Sequence, residues 1–378
     1  MEADNEKTLQ NDENNNPWYA LNGDDGDVFF TSRVRIIRNL ANFPFPLQFK
    51  ADDRERVNAI LLDVFSKVKN PDDYHVLPME GLSSENYSVL QERGILKPMS
   101  EIKARHIPLP STVVMNTKGD VSVLINQIDH LRLAAFKSGL DFTKPFSRVS
   151  ELDAEFQNNV QFASSLEFGY LTSAMKDLGS GIKFSAWVNL QMTIRSGKLA
   201  ELLEKLKTSP VELSPAFPEL SRDNQVPAGC IFNIATCRSL KGSEVSQLAD
   251  MEAVCSFIAE YERKISQEYA DNHMTVIVNS VMRSLGIARN SLLLSLREAI
   301  DIIGDVHTGL RLGLVTGIDF GRLTGLLFRV QPAHLSYVME EGNFDFEKDV
   351  RQEKILMIDR LRALAIQEAF ENISLRKL

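Results

Sequence analysis

The stretch VFFTSRVRI, residues 28–36, decides which kind of fold this chain can adopt. Its side chains alternate between two sets, and the arginines at positions 33 and 35 fall in the same set. A β-strand points successive side chains to opposite faces, so Arg33 and Arg35 would share one face of a sheet. The stretch therefore predicts a strand that presents two cations side by side.

Two further stretches repeat this combination of a strand and a cation. Residues 121–125, VSVLI, predict a buried strand, and Arg132 follows in DHLRL between alternating leucines. Residues 183–192, KFSAWVNLQM, predict a strand with Lys183 and Ser185 on one face. The cations either form a solvated sheet face with ordinary ion pairs or clamp an anion, because guanidinium groups bind phosphate oxygens in pairs.

The rest of the chain predicts a mixed α/β body followed by helices. Apolar residues recur at helical spacing over residues 54–67, 198–207 and 244–261, and residues 292–306 and 353–370 predict two further helices. A proline-rich loop at 209–227 precedes a predicted strand at 229–236. We therefore divide the chain into an acidic disordered tail at 1–27, a mixed domain at 28–262 and an all-helical C-terminal domain at 263–378.

Composition and charge exclude several classes of function. The 378 residues carry a net charge of -9, and residues 1–27, with eight acids and one lysine, account for -7 of it. The body therefore has no basic excess for binding nucleic acid. No apolar run reaches the roughly 20 residues that cross a bilayer, and the first residues lack the pattern of a secretory signal. Three cysteines without a CxxC pair are typical of reduced thiols, which predicts a cytoplasmic protein.

Common sequence motifs for nucleotides and metals are missing from this sequence. It contains no GxxxxGK[ST] phosphate loop, no GxGxxG after a predicted strand and no HExxH zinc motif. The six histidines are scattered along the chain, so we predict no metal site. An anion-binding sheet face remains the feature that could carry chemistry.

Six segments together resemble the ATP:guanido phosphotransferases, or phosphagen kinases, and are nearest to the bacterial protein-arginine kinases. The segments are TSRVRIIRNLANFPFP (31–46), SVLINQIDHLRL (122–133), FGYLTSAMKDLGSGIKFSAWV (168–188), GCIFNIAT (229–236), VHTGLRLGLVTGI (306–318) and FEKDVRQEK (346–354). The resemblance implies an α+β fold, with an antiparallel sheet flanked by helices in a glutamine-synthetase-like catalytic domain, and an all-helical C-terminal domain that forms a homodimer. It also implies ATP with Mg²⁺ as the phosphoryl donor and a guanidinium group, in protein arginine or in a small metabolite, as the acceptor.

The resemblance also assigns a set of nucleotide-binding residues. Arg33 and Arg35 match the two phosphate-binding arginines of the family's opening motif, and Arg132 matches a third. Lys183 stands where the family has an arginine, so the charge is kept but the two-pronged guanidinium is lost. The full set implied by the motifs is Ser32, Arg33, Val34, Arg35, Arg132, Lys183 and Ser185.

The acceptor side departs from the family pattern. The family's NEEDH segment is replaced by Asn126, Gln127, Ile128, Asp129 and His130. The family's CPTN loop, which carries a reactive thiol, is AMKD at residues 174–177. In the loop at 211–228, where the family has a further arginine, Arg222 is the single candidate to replace it. Because a guanidinium has a pKa near 13 and must lose a proton to react, loss of these groups predicts weak or absent phosphoryl transfer.

Three functional hypotheses follow from the resemblance and its departures. The first is a regulatory pseudokinase that binds ATP and acts through an adaptor or a kinase partner. The second is an active kinase for protein arginine or a small guanidino compound, with a carboxylate supplied by Asp129, Asp177, Glu219 or Asp223. Asp177 is the leading candidate because its loop faces the acceptor in the family. The third is a structural protein that keeps the fold without binding a nucleotide.

Overall fold

The arginine-bearing stretch forms the central strand of an antiparallel sheet. The structure is a computed structural model that describes residues 16–50, 52–104, 106–221, 226–239 and 242–376. The strands are β1 Phe29–Arg38, β2 Tyr74–Pro78, β3 Thr112–Asn116, β4 Val121–Ile125, β5 Leu131–Ser138, β6 Ser164–Ser165, β7 Gly169–Tyr170, β8 Ile182–Asn189, β9 Val211–Pro215, β10 Ile231–Thr236, β11 Val315–Thr316 and β12 Ser374–Leu375. The α-helices are α1 Asp53–Phe65, α2 Ser84–Glu92, α3 Met99–Ala104, α4 Thr143–Gln157, α5 Gln191–Arg195, α6 Leu199–Leu206, α7 Glu244–Asn290, α8 Leu296–Arg311, α9 Phe320–Arg329, α10 Pro332–Glu341 and α11 Lys354–Ala369.

Eight of these strands form one sheet, in the order β2-β3-β4-β5-β1-β8-β10-β9. Each neighbouring pair is antiparallel. Strand β1 lies between β5 and β8, so both of its edges are hydrogen-bonded within the sheet. The predicted fold class, an antiparallel sheet flanked by helices with a helical C-terminal region, is confirmed.

One face of the sheet forms the main core. Val34 and Ile36 of β1 are fully buried there, together with Phe184 of β8. Helices α1 and α4 cover this face because the apolar residues of each recur three and four positions apart and form one stripe. Each aliphatic or aromatic side chain buried in this way contributes about 1.5–3 kcal/mol, so this face carries most of the stability of the sheet.

The long helix α7 joins the sheet to the C-terminal helices. The division predicted at residue 262 falls inside this helix, which runs from Glu244 to Asn290. His273 leaves the helical conformation (φ -135°, ψ 24°) and marks a kink. Ile258 before the kink and Ile277 after it are both buried in the same core, so one helix supplies apolar residues to both parts of the chain.

The segment 16–27 corrects the predicted disordered tail. Trp18 is buried and stacks on Phe136 of the sheet at 5.3 Å between ring centroids, and Tyr19 stacks on Phe328 of α9 at 4.6 Å. Asp27 accepts a hydrogen bond of 2.7 Å from Arg263. The acidic composition suggested disorder, but aromatic burial and an arginine partner distant in sequence hold this segment on the body. Residues 1–15 lie outside the described residues.

Two local predictions also differ from the structure. The strand predicted over 183–192 ends at Asn189, and residues 191–195 turn into the short helix α5. The loop predicted over 209–227 contains strand β9, which pairs with β10 along Val211–Pro215. Proline is tolerated on β9 because it is the edge strand of the sheet.

Candidate functional site

The register of the sheet gathers the four cations on the face opposite the main core. Arg35 lies opposite Lys183 of β8. On the other side of β1, Arg132 of β5 lies opposite Ile37, which has the same parity as Arg33 and Arg35. Opposed residues of an antiparallel pair share a face. The cationic face predicted from alternation is therefore formed by β1, β5 and β8 together.

A cleft of about 430 Å³ opens over this face. Arg33, Arg35 and Arg132 line its floor, and residues 91–98 and 214–219 form two of its walls. The remaining side is closed by three residues at the starts of helices α8 and α10: Leu296, Gln331 and Pro332. The volume suits a ligand of drug or cofactor size, so the three arginines line a cleft rather than an open surface.

Two of the arginines are held in place by the segment 93–98, which follows α2. Arg33 donates from Nη1 to the carbonyl oxygen of Gly94 at 3.0 Å and from Nε to Ser185 Oγ at 3.2 Å. Arg132 donates from Nη2 to the carbonyl oxygen of Ile95. Gly94 adopts φ +71°, a conformation that glycine reaches without strain. Each guanidinium thus has its orientation fixed while further N–H groups are left for a ligand.

The three arginines repel one another in a poorly solvated place. Burial lowers the pKa of Arg132 to about 9, and the neighbouring Arg35 adds to this effect. Burial, followed by repulsion from Arg35 and Arg132, lowers the pKa of Arg33 well below its usual value. Among the described residues, the buried Nε atoms of Arg35 and Arg132 have no hydrogen-bond partner. An anion would relieve the repulsion and satisfy these donors, so the cleft favours anionic groups.

Two residues of the expected nucleotide-binding set lie on the wrong face of β1. Ser32 is fully buried and donates from Oγ to the carbonyl oxygen of Asp141 at 2.9 Å. Val34 is fully buried in the main core. Since successive strand residues alternate between faces, the side chains of Ser32 and Val34 cannot reach the cleft. Of the β1 residues in this set, it is Arg33 and Arg35 whose side chains face the cleft.

Lys183 and Asp177 form an ion pair at the edge of the cationic face. The Nζ of Lys183 lies 2.9 Å from Oδ1 of Asp177, and both side chains are about 10% exposed. Burial lowers the pKa of Lys183, while the contact with Asp177 raises it. The leading carboxylate candidate is therefore next to the cations, but its charge is compensated by a lysine.

The other carboxylate candidates have different surroundings. Asp129 Oδ1 accepts hydrogen bonds of 2.7 Å from Asn39 Nδ2 and from the backbone N–H of Ser173. Burial raises the pKa of Asp129. Glu219 lies in the cleft wall at 214–219, and burial raises its pKa as well. Arg222 and Asp223 lie outside the described residues.

The segment 126–130 is hydrogen-bonded to Ser173, in the segment that precedes Asp177. Ser173 donates from Oγ to the carbonyl oxygen of Ile128 at 2.7 Å, in addition to its backbone bond to Asp129. The two segments that depart from the family pattern are therefore neighbours in space. Ile128 brings an alkyl side chain to this junction, where it can neither accept a proton nor bind a cation.

His130 has a structural role in this segment. Its Nδ1 accepts a hydrogen bond from the backbone N–H of Leu40, and its Nε2 lies 2.9 Å from the carbonyl oxygen of Pro44, so Nε2 carries the proton. The ring also stacks on Phe49. Burial lowers the pKa of His130 to about 4, although Pro44 and Asp53 oppose the shift. The ring is therefore neutral near pH 7.

The buried ring of His130 makes the stability of the protein sensitive to acid. An unfolded histidine takes up a proton near pH 6.5, whereas His130 in the folded protein resists protonation down to about pH 4. Stability is therefore fully present above pH 6.5 and is lost as the pH falls from 6.5 towards 4, with about 2 kcal/mol lost by pH 5 from this residue. Urea unfolding between pH 7 and 5 measures the loss. His75→Gln, at an exposed position, should leave the profile unchanged, and a flat profile in the unaltered chain would contradict the prediction.

The structure adds cleft residues that the sequence analysis did not assign to the site. Trp187 shares the face of Lys183 and Ser185 on β8 and lies in the cleft, as does Asn233 of β10. The ring of Phe217 lies 5.1 Å from that of Trp187. The parity of the predicted strand at 183–192 already placed Trp187 with the cations, whereas Phe217 follows strand β9, in a stretch that the sequence analysis interpreted as a loop.

A second, larger cleft lies away from the cationic face. It measures about 740 Å³ between the segment 16–22 and helices α9 and α11. Its walls carry the acids Asp319 and Glu368 as well as Arg322 and Arg329, and Arg329 is paired with Glu368 at 3.0 Å. Because these charges offset one another, the smaller cationic cleft is the better candidate for an anionic ligand.

Comparison with known families agrees with this geometry. Residues 56–265 match the model of the ATP:guanido phosphotransferase C-terminal catalytic domain, which covers more than half of the chain. The chain belongs to the ATP:guanido phosphotransferase family. Residues 274–377 match the protein-arginine kinase McsB C-terminal domain. The two matched regions are separated by the part of α7 that contains the kink at His273.

Relatives within this family are protein-arginine kinases. The chain is 27% identical over 339 residues to the protein-arginine kinase of Halothermothrix orenii, covering 90% of this chain and 95% of that protein. It is 24% identical over 351 residues to that of Bacillus cereus, covering 92% and 96%. These matches confirm the resemblance to the protein-arginine kinases of the guanidino phosphotransferase family.

Solved structures of guanido phosphotransferases share the fold. A duplicated taurocyamine kinase from Schistosoma mansoni, with bound transition-state analogue components, superposes with a TM-score of 0.57 at 18% identity, over 70% of this chain and 38% of that chain. A lombricine kinase superposes with a TM-score of 0.55 at 15% identity, over 68% and 71%. At these identities the likeness concerns the fold alone.

Two general features of the described residues bear on function. No helix among them is long and apolar enough to cross a membrane. No group of three or more histidine, cysteine, aspartate or glutamate side chains among them is arranged to hold a metal ion.

Proposed function

We propose that this member of the family binds ATP with Mg²⁺ in the cationic cleft and has lost most or all phosphoryl transfer, so that it acts as a regulatory pseudokinase. The observation that carries the proposal is the state of the two carboxylates beside the cationic face. Asp177 is paired with Lys183, and Asp129 is held by Asn39 and Ser173. Each carboxylate is therefore already engaged through its Oδ1 in the unliganded protein, which supports weak transfer to a guanidinium acceptor.

The cleft fits the triphosphate of ATP. Arg33, Arg35 and Arg132 converge on its floor, and buried N–H donors of Arg35 and Arg132 lack partners among the described residues. Phosphate oxygens satisfy such donors in pairs. Mg²⁺ would enter with the nucleotide, since it binds through substrate phosphates in many phosphoryl-transfer sites. The three arginines concentrate positive charge on the floor of the cleft, which supports binding of phosphate groups there, while its walls also carry Glu92, Glu101 and Glu219.

The acceptor side supports weak or absent transfer. A guanidinium remains protonated at neutral pH, so it needs a positioned base before one of its nitrogens can attack phosphorus. Removing one positioned acid–base group costs about 10² to 10⁴ in rate. Here Gln127 and Ile128 replace two such groups of the family pattern, and no thiol stands in residues 174–177. A pseudokinase of this kind would act through a partner, such as an adaptor or an active kinase.

An active kinase is the second candidate function, and one contact favours it. Asp177 lies beside Lys183 and acts electrostatically on Arg35, so a carboxylate is present at the edge of the phosphate-binding face. If the acceptor displaced Lys183 from Asp177, this carboxylate could orient a guanidinium of protein arginine or of a small guanidino compound.

The homodimer and the cytoplasmic location stay predictions from the resemblance and from the cysteine content.

Phosphoryl transfer from labelled ATP separates the two candidates. The full chain is incubated with Mg²⁺, γ-labelled ATP and either casein or free arginine, and acid-labile, alkali-stable phosphate is measured. We expect no signal above that of a heat-inactivated sample. A signal that disappears in Asp177→Asn but persists in Asp63→Asn, a matched change at an exposed surface pair, would refute the pseudokinase and establish the rearranged active site.

A further inference from the structure

One wall of the cleft carries apolar and aromatic residues beside the polar Ser214 and Glu219. Phe217 and Pro218 form part of it, next to Trp187 of the sheet. Phe217 is buried, and its ring lies 5.1 Å from that of Trp187. A cleft with guanidinium groups on one side and aromatic rings on the other matches a nucleoside attached to a chain of phosphates. The aromatic side is therefore the candidate nucleoside half.

The C-terminal helices complete this nucleoside half. Leu296 at the start of α8 and Pro332 at the start of α10 lie in the cleft. Phe328 of α9 stacks on Trp187, with 5.7 Å between the ring centroids and 12° between the ring planes. Helices α8 and α10 of the region that matches the C-terminal domain family thus line the cleft, and α9 packs on Trp187, whereas the three arginines of the floor all come from the sheet.

One arginine of the C-terminal region fixes the wall that carries Phe217. Arg297, in the first turn of α8, donates from Nη1 to the carbonyl oxygen of Leu220 at 2.7 Å and from Nη2 to that of Val226 at 2.8 Å. The acceptors lie 77 and 71 residues away in sequence. The planar fork of a guanidinium donates to the two carbonyl groups from two separate nitrogens in a fixed geometry. Arg297 therefore holds two points of the chain after Phe217, one at Leu220 and one at Val226.

The next turn of α8 adds a second attachment. Asp301 Oδ1 accepts a hydrogen bond of 2.7 Å from the backbone N–H of Gly229. Gly304 packs so closely that a Cβ atom there would come within 2.6 Å of the carbonyl oxygen of Gly229. Helix α8 thus packs directly on the chain before β10, and this contact fixes the start of the helix, where Arg297 lies, relative to the cleft.

We propose that Arg297 is a positioning residue for nucleoside recognition, through which the C-terminal helices set the affinity of the cleft for the nucleoside but not for the phosphates. The proposal rests on nucleotide binding as the function of the cleft. Arg297 does not line the cleft itself. It acts by holding the wall that includes Phe217 against Trp187, while the phosphate-binding arginines are held separately by residues 94 and 95.

Calorimetric titration with two probes tests this division of the cleft. The full chain is titrated with ATP and with inorganic tripolyphosphate, each with Mg²⁺. For Arg297→Gln we expect affinity for ATP to fall about tenfold, the cost of a wall that has lost its two hydrogen bonds, with affinity for tripolyphosphate changed less than twofold. Arg283→Gln, an exposed arginine on α7, is the matched control and should change neither. Phe217→Ala, which alters the wall directly, should reproduce the selective loss.

Each other outcome has a defined meaning. An equal loss of affinity for both probes in Arg297→Gln, or no loss for either, overturns the positioning role of Arg297. Neither result contradicts the proposal that the unaltered chain binds ATP in the cleft. Binding of tripolyphosphate but not ATP by the unaltered chain overturns the nucleoside half. Binding of neither probe by the unaltered chain overturns the proposed function and this inference with it. A Phe217→Ala variant that keeps full ATP affinity also contradicts the inference.

Discussion

Replacing Glu262 with glutamine is expected to lower the free energy of unfolding by about 3–5 kcal/mol, the usual cost of breaking a buried ion pair by removing one partner. Glu262 lies near the middle of α7 and is fully buried. Its Oε1 lies 2.8 Å from Nη2 of Arg311 on α8, which is itself almost completely buried. The amide of glutamine would remove the carboxylate that pairs with Arg311 in a place that water does not reach, which leaves Asp27 as the remaining acid that acts on this guanidinium.

Glu262 also replaces the missing cap of a helix. Oε1 accepts a hydrogen bond from the backbone N–H of Met192 at 2.9 Å, and Oε2 accepts from the N–H and the Oγ1 of Thr193 at 3.0 and 2.6 Å. These donors belong to the first turn of α5, whose own N-cap residue, Leu190, makes no side-chain hydrogen bond. First-turn N–H groups have no partner within a helix, so the carboxylate satisfies donors that would otherwise be buried without acceptors.

Urea unfolding followed by tryptophan fluorescence and circular dichroism measures this effect. Glu260→Gln is the matched control, because residue 260 is exposed on the same helix and such surface changes usually cost less than about 0.5 kcal/mol. A loss below 1 kcal/mol in Glu262→Gln would show that the buried pair does not stabilise the junction between the sheet and the C-terminal helices. The comparison involves no ligand, so it is independent of the proposed function.

Removing Arg33 and Arg35 together is expected to weaken ATP binding by a factor of at least about 10². A hydrogen bond to a charged group contributes about 1.5–3 kcal/mol, and each arginine offers at least one such bond to the triphosphate. The double variant Arg33→Ala with Arg35→Ala should lose ATP and tripolyphosphate affinity alike. In this respect it differs from a change in the nucleoside half. Calorimetry on the full chain measures the loss.

Arg56→Ala provides the control for the loss of positive charge. Arg56 is exposed on α1 and lies over the ring of Phe43, away from the cationic face. Its removal should alter ATP affinity less than twofold. If the double variant binds ATP as tightly as the unaltered chain, the phosphate-binding assignment is wrong, and the hypothesis of a structural protein that binds no nucleotide gains support.

Local pattern was enough to place the cations. Alternation over residues 28–36 placed Arg33 and Arg35 on one face of a strand, and alternation over residues 183–192 placed Lys183 on one face of another. Antiparallel pairing of the two strands then brought these faces together. The same alternation also predicted that the side chains of Ser32 and Val34 lie on the face opposite to that of the arginines. The motif carried over from the family included them because a motif lists neighbours in sequence, whereas a strand separates neighbours onto two faces.

Contacts between residues that are distant in sequence were not predicted from the sequence. The acidic composition of residues 1–27 suggested a disordered tail, yet Trp18 and Tyr19 are buried against Phe136 and Phe328. The boundary placed at residue 262 fell inside a continuous helix, because a periodic apolar pattern does not reveal that one helix packs against two parts of a chain. Phe217 reached the cleft through strand β9, which its prolines had made us interpret as a loop.

The sequence by itself determined the family, the strand-and-helix order and the face on which the cations lie, because these depend on residue types at fixed local spacing. Only the tertiary structure decided which carboxylates are engaged. Asp129 meets Asn39 across 90 positions, and Lys183 turns towards Asp177 rather than away from it. Hydrogen bonds and ion pairs of this kind form only after the strands have paired and the loops have packed, since it is burial and three-dimensional proximity that select their partners.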